Sequence, residues 1–270
     1  MNGANHNEIV VDNYSLASYY VEMYFDEQQL ATATCFFTQR NGKFYIVTNW
    51  HVVSGKDADT LRCLDLNAAI PNKLRIYLPK YVEKEGYQFS EAFFIEVDLY
   101  DGEGNKLWYE LECNGKMVDV VLIPFKKETD LFFIPIEKAE DPFNEDTEFR
   151  IADDISIIGF PFGRIGGCMP IWKRASVASE PEYDMDDMPY YFVDTATRPG
   201  MSGSPVILYK DRSVTVIDGK EGASSRHLTK LVGIYSGRIG ANTGDRNNAQ
   251  LGRVWKTRVI KDILDLYEKL

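Results

Sequence analysis

Ser202 stands in Arg198-Pro199-Gly200-Met201-Ser202-Gly203-Ser204-Pro205, between two runs of β-formers, Tyr190-Tyr191-Phe192-Val193 and Val206-Ile207-Leu208-Tyr209. Gly200 and Gly203 permit backbone conformations closed to residues with a Cβ, so backbone N–H groups can turn toward whatever sits on the serine hydroxyl. A nucleophile beside an oxyanion hole needs that arrangement; taken alone, the octapeptide reads better as a Gly/Ser/Pro turn between strands. A hydroxyl also needs a base, and the chain has three histidines, His6, His51 and His227. His51 closes a strand-like run, Val47-Thr48-Asn49-Trp50-His51-Val52-Val53. Rigid backbone on one side and freedom on the other suits a general base, although a lone histidine is more often structural. A buried carboxylate would complete the set by fixing the imidazole's tautomer and stabilising its charged form. Asp119, inside Lys116-Met117-Val118-Asp119-Val120-Val121-Leu122-Ile123-Pro124, is the outstanding candidate. An acid in such an apolar run is costly without a partner; a strand-edge Asp bonded to backbone is the competing reading.

The elements that must carry these residues are predominantly strands. Tyr19 to Phe25, Ala31 to Thr38 and Phe44 to Thr48 read as strands, with an Asn41-Gly42 hairpin between the last two. Leu74 to Leu78 follows, then a hairpin of Ala92 to Tyr100 with Lys106 to Cys113, then Met117 to Pro124 and Leu131 to Ile136. A polar, acidic stretch over 137–148 reads as a linker. Strands resume at Phe149 to Gly159, Cys168 to Ser179, Tyr190 to Thr195, Pro205 to Tyr209, Ser213 to Ile217 and Leu228 to Tyr235. Only 257–270 shows helical spacing, through Val259, Ile263, Leu264, Leu266 and Tyr267. The expected organisation is a disordered tail over 1–13, a β-rich half over 14–136 carrying His51 and Asp119, the linker, a second half over 149–256 carrying Ser202, and the helix. Many short, evenly spaced strands suggest barrels or sandwiches.

Composition narrows the partners. A net charge of −11 and a pI near 4.9 argue against nucleic acid and against an anionic membrane. No apolar run reaches the length of a membrane span, and the first residues lack the pattern of a signal peptide, so a cytoplasmic location is expected. Cys35, Cys63, Cys113 and Cys168 are scattered without zinc or disulfide spacing, and reduced thiols are expected. No cofactor and no metal is indicated. Asp101, Glu103, Asn105 and Glu112 match part of a calcium loop, but Lys106 replaces its turn glycine.

The order His, Asp, Ser and the text around each resemble the chymotrypsin-like (trypsin-like) serine peptidases, most of all the bacterial branch with the high-temperature-requirement proteases. The matching pieces are Thr48 to Val53, Asp119 to Leu122, Ile158-Gly159-Phe160-Pro161, Asp194 to Pro205 and Val232-Gly233-Ile234-Tyr235-Ser236. The resemblance implies an all-β fold, a trypsin-like double β-barrel of two six-stranded Greek-key barrels with a C-terminal α-helix. It implies a serine endopeptidase acting on a protein or peptide substrate: Ser202 as nucleophile, His51 as base and then acid, Asp119 orienting His51. The backbone N–H groups of Gly200 and Ser202 would form the oxyanion hole, and Ser236 would support the aspartate beside the substrate. Ala196 falls at the floor of the primary pocket, which argues against Arg or Lys specificity. Tyr235, Arg198 and Arg238 join Ala196 and Ser236 as expected substrate-binding residues.

Three departures from that pattern are visible. Ser204 replaces a usual glycine, Met201 replaces the aspartate of zymogen-activated members, and no cysteine follows His51. An α/β-hydrolase is disfavoured, because it needs Ser, acid, His in chain order and alternating helices. The rival from another class is the same fold used as a protein-binding or regulatory module with little turnover. Oligomeric state is left open by the sequence.

Overall fold

The computed structural model describes residues 11–84, 87–127, 131–140, 148–163, 169–211, 215–217, 220–222, 227–238 and 250–269. His6, Cys168 and most of the expected tail lie outside the described residues.

Alternating aromatic and β-branched residues give the first half its strands. β1 (Ser18–Phe25), β2 (Gln28–Arg40), β3 (Lys43–Thr48), β4 (Lys73–Lys84) and β5 (Tyr87–Asp98) precede two short strands, β6 (Glu112–Cys113) and β7 (Lys116–Met117), and then β8 (Val121–Phe125). They form a six-stranded antiparallel sheet in the order β5-β4-β1-β2-β3-β8, apart from the small β6-β7 ladder. The sheet wraps Val21, Phe37, Ile46, Leu74, Ile76 and Val121, all fully buried. Its edges β5 and β8 do not meet among the described residues, so this six-stranded sheet is a half-barrel.

The second half closes. β9 (Asp154–Gly159), β10 (Ile171–Val177), β11 (Tyr190–Asp194), β12 (Pro205–Asp211), β15 (His227–Arg238) and β16 (Leu251–Lys256) form a barrel in the order β10-β11-β16-β15-β12-β9. β13 (Thr215–Ile217) and β14 (Lys220–Gly222) form a separate two-stranded ladder. Ile157, Val193, Val206 and Val254 fill the barrel. A third cluster, with Phe36, Leu122, Trp255, Ile260 and Ile263, joins the halves to the terminal helix.

The α-helical elements among the described residues are α1 (Asn13–Leu16), α2 (Trp50–Ser54) and α3 (Arg258–Tyr267). α1 overlaps only the last residue of the expected tail and precedes the expected first strand: the Asp12 carboxylate accepts from Tyr14 N–H and caps it. Lys106 to Cys113 pairs with Ala92 to Tyr100 only at the turn, through the Tyr100–Lys106 bridge and the Leu107 N–H to Leu99 carbonyl bond, while β5 pairs along its length with β4. Leu131 to Ile136 makes one bridge, Phe37 with Pro135, and runs into a 3-10 turn. Part of the expected linker is tied down: Glu137 accepts from Gln39 N–H and the Thr38 hydroxyl, and Glu140 from Leu231 N–H.

Candidate active site

His51 lies on α2, one turn of helix where a strand end was expected. The helix follows β3 directly and stops at Gly55, whose N–H donates to the His51 carbonyl at 3.0 Å. A one-turn helix is marginal by itself and needs tertiary anchors. Trp50 supplies one, since its indole N–H and that of Trp108 both donate to Glu110 Oε2, at 2.9 and 2.8 Å. Burial pushes the Glu110 carboxyl up, but hydrogen bonds from Lys106, Trp108 and Trp50 outweigh it and hold the group below the ordinary range.

The second anchor is Asp119, in the turn entering β8. Its Oδ1 accepts from the His51 backbone N–H at 2.8 Å, satisfying an amide that the start of a helix leaves open. Its Oδ2 lies 2.8 Å from His51 Nδ1 and also accepts from the Ser236 hydroxyl. Asn49 completes the frame by donating from Nδ2 to the Asp119 carbonyl at 2.7 Å. Asp119 is 3% exposed, and these bonds are what make a carboxylate tolerable there. For His51, burial lowers the pKa, but the Asp119 charge and hydrogen bond, with Asp57 nearby, raise it further, so the group sits above its usual value.

Ser202 arrives from the other half, on the turn between β11 and β12. Gly203 N–H donates to the Tyr235 carbonyl, and Tyr235 N–H to the Ser204 carbonyl, at 2.8 and 2.9 Å. Thr34 of β2 holds the turn from across the interface: its N–H donates to the Ser202 carbonyl and its hydroxyl to the Gly200 carbonyl, both at 2.8 Å. Gly200 and Gly203 have φ of +97° and +82°, and a methyl group on either would overlap a carbonyl oxygen, that of Phe160 or of Thr34. Both glycines are therefore required by conformation and by space. The Ser202 hydroxyl donates to the Ser236 carbonyl at 3.4 Å, long for an O–H···O bond and readily exchanged. Ser204 is fully buried, and its hydroxyl has no partner among the described residues.

The structure thus gathers His51, Asp119, Ser202, Gly200 and Ser236 at the seam between the halves. Ala196 is half-buried on the way to the serine turn, Arg198 is exposed, and Arg238 is half-buried at the end of β15. Tyr235 is a correction. Strand alternation turns Ser236 toward Asp119 and Tyr235 inward, where its side chain is 1% exposed and its hydroxyl is bonded to that of Thr197. Its backbone N–H and carbonyl are both occupied, so it supports the serine turn and has no surface for substrate. His227 lies on β15 opposite Asp211 of β12, seven residues beyond Ser204 along that ladder. Sequence reasoning missed Thr34, Asn49 and Glu110. Asn49 and Thr34 carry one faint signal, a polar residue completely buried beside an apolar run, which only the tertiary bonds explain.

Among the described residues, no group of three or more His, Cys, Asp or Glu is placed to hold a metal ion, and no helix is long and apolar enough to cross a membrane. The Asp101 carboxylate is spent on its own turn, accepting from the N–H groups of Glu103 and Asn105.

No curated protein matches the chain. Among solved structures, it is similar to the Rv3671c protease of M. tuberculosis in its active form, with 15% identity, a TM-score of 0.47, and 93% of this chain and 81% of that one covered. An inactive serine mutant of the same protease gives 15% identity, a TM-score of 0.46, and coverage of 96% and 88%. The serine endoprotease from Yersinia pestis gives 13% identity, a TM-score of 0.49, and coverage of 94% and 63%. The family model described as the trypsin-like peptidase domain matches residues 33–216. That span is more than half of the chain and contains His51, Asp119 and Ser202. The chain belongs to the trypsin-like peptidase family.

Proposed function

We propose that the protein is a serine endopeptidase that hydrolyses peptide bonds through an acyl-enzyme. The observation that supports this best is the doubly bonded His51–Asp119 pair, linked through Ser236 to a glycine-bracketed serine from the other half. Ser202 Oγ attacks the scissile carbonyl carbon while its proton passes to His51 Nε2. Asp119 keeps the other nitrogen, Nδ1, protonated and stabilises the imidazolium. The N–H groups of Gly200 and Ser202 receive the charge on the former carbonyl oxygen. As the C–N bond breaks, His51 returns the proton to the leaving amine. Water then attacks the ester carbon, its proton goes to His51 and on to Ser202 Oγ, and the new carboxyl product departs. Free thiols at Cys35, Cys63 and Cys113 support a reducing, cytoplasmic setting for this chemistry.

The test is covalent labelling by a fluorophosphonate. Wild-type protein is expected to label at Ser202; Ser202→Ala and His51→Ala are expected not to, and His227→Ala is expected to label normally. A folded wild type that does not label refutes the enzyme reading. One observation favours the second reading, a binding or regulatory module: the Ser202 hydroxyl donates to the Ser236 carbonyl. Catalytic hydrogen bonds are often loose before substrate arrives, so labelling discriminates where resting geometry does not.

A further inference from the structure

Beside His51, on the first half, is a cavity of about 250 Å³. Its walls are largely aliphatic, including Met23, Leu30, Val52, Leu64, Leu66 and Pro71, with His51 itself as one wall. The volume lies below the roughly 300–1,000 Å³ of small-molecule sites and suits a single side chain. The outer rim is held in place by its own loop. Leu64 N–H donates to the Gly55 carbonyl at 2.8 Å, and Asp65 Oδ1 accepts from the N–H groups of Asn67 and Ala69. That geometry occupies the carboxylate oxygen and leaves Leu64 42% and Leu66 completely exposed. Leu64 and Leu66, either side of Asp65, thus stand exposed at the mouth of a cavity whose lining joins aliphatic side chains to the polar Thr32, His51 and Asp65.

Resting on the peptidase reading above, the chemistry fixes which part of a substrate passes here. His51 must protonate the leaving amine, so the segment leaving with that amine starts at His51's open edge. The cavity shares His51 as a wall. Thr32, another wall residue, has its hydroxyl 3.4 Å from where a side chain on Gly200 would begin, so the cavity also borders the oxyanion turn. Ser236, whose carbonyl accepts from the Ser202 hydroxyl, is not part of the cavity wall. We propose that this cavity selects an aliphatic side chain in the first two residues after the cleaved bond, with Leu64 and Leu66 closing over it. Selectivity thus resides on the leaving side of the substrate as well as on the acyl side.

The test uses internally quenched peptides that share one acyl half and carry Leu, Ser, Asp or Lys at the first or second position after the cut. At one of these positions Leu is expected to exceed Ser in kcat/KM by about tenfold, the scale of burying one aliphatic side chain. Leu66→Asp and Leu64→Asp, both at the exposed rim, are expected to erase that preference and to move it toward Lys; Leu66→Met is expected to keep it. Differences below about twofold at both positions, or rim variants that keep the wild-type preference, overturn the proposal. Fluorophosphonate labelling run in parallel separates the failures. Labelled protein without leaving-side preference sinks this inference alone, and folded protein that neither labels nor cleaves sinks it together with the peptidase reading.

Discussion

Asp119→Asn is the most informative single change, because the carboxylate meets two different donors of one residue. Oδ1 accepts from the His51 backbone N–H and Oδ2 from Nδ1–H, each at 2.8 Å. Asparagine offers one oxygen and one NH2. With its oxygen on the backbone N–H, the NH2 faces Nδ1 and forces the ring into the tautomer protonated at Nε2, which cannot accept the Ser202 proton. With its oxygen on Nδ1–H, the NH2 opposes the backbone N–H, donor against donor, at a 3% exposed site. Two unsatisfied buried donors cost about 2–6 kcal/mol, which limits the productive arrangement to roughly one molecule in 30 to one in 10⁴. Loss of the charge that stabilises the imidazolium adds to this. The expected fall in labelling and turnover is about 10⁴-fold. The fold should survive, since the Asn49 bond goes to the Asp119 main-chain carbonyl. Labelling kinetics checked against thermal melting make the assay. A folded Asp119→Asn protein that labels within tenfold of wild type refutes the role given to this carboxylate.

Further outcomes follow from the same geometry. His51 is held above its ordinary pKa of 6.5, so labelling is expected to decline as pH falls through a midpoint above that value; Asp57→Asn, which removes one raising charge, should move the midpoint down in a pH–rate profile. The sign for stability is opposite: His51 stabilises fully below about pH 6.5, and the contribution is lost as pH rises through its folded value. Gly200→Ala should cut labelling by about 10²-fold or more, the value of one oxyanion donor, and lower the Tm by a few degrees, as for strain of about 1–3 kcal/mol. Ser204→Ala should raise the Tm or leave it unchanged, because it removes a buried hydroxyl that is unpaired among the described residues; a drop of several degrees in calorimetry would show a hidden partner.

Much of this was legible in residue order and pattern. The Asn41-Gly42 pair predicted the β2-β3 hairpin, and an acid inside an apolar run marked Asp119. What failed depended on distant partners. β16 was overlooked because Gly252, Arg253 and Lys256 interrupt its apolar pattern, yet Arg253 lies over the Tyr190 ring, 4.7 Å from its centroid, and forks onto Asp59 at 3.0 Å. Lys106 to Cys113 looked like a strand because its bulky residues suit one, but Trp108 and Glu110 are committed to anchoring α2. Tyr235 was assigned to the substrate because neighbouring Ser236 matched a motif, and the period-two alternation of a strand sends the two in opposite directions. The cavity beside His51 is built by a loop without periodicity, so its shape could not be read from spacing.

The two bonds from Thr34 to the serine turn have a consequence for synthesis. β2 leaves the ribosome well before residues 200–204, and the turn can be locked only once both halves exist and have met. Until then Gly200 and Gly203 leave it free to sample other shapes. A nascent or half-unfolded chain therefore carries His51, Asp119 and Ser202 without the frame that brings them together. Under the proposed function, competence to cut would then appear last, once assembly is complete.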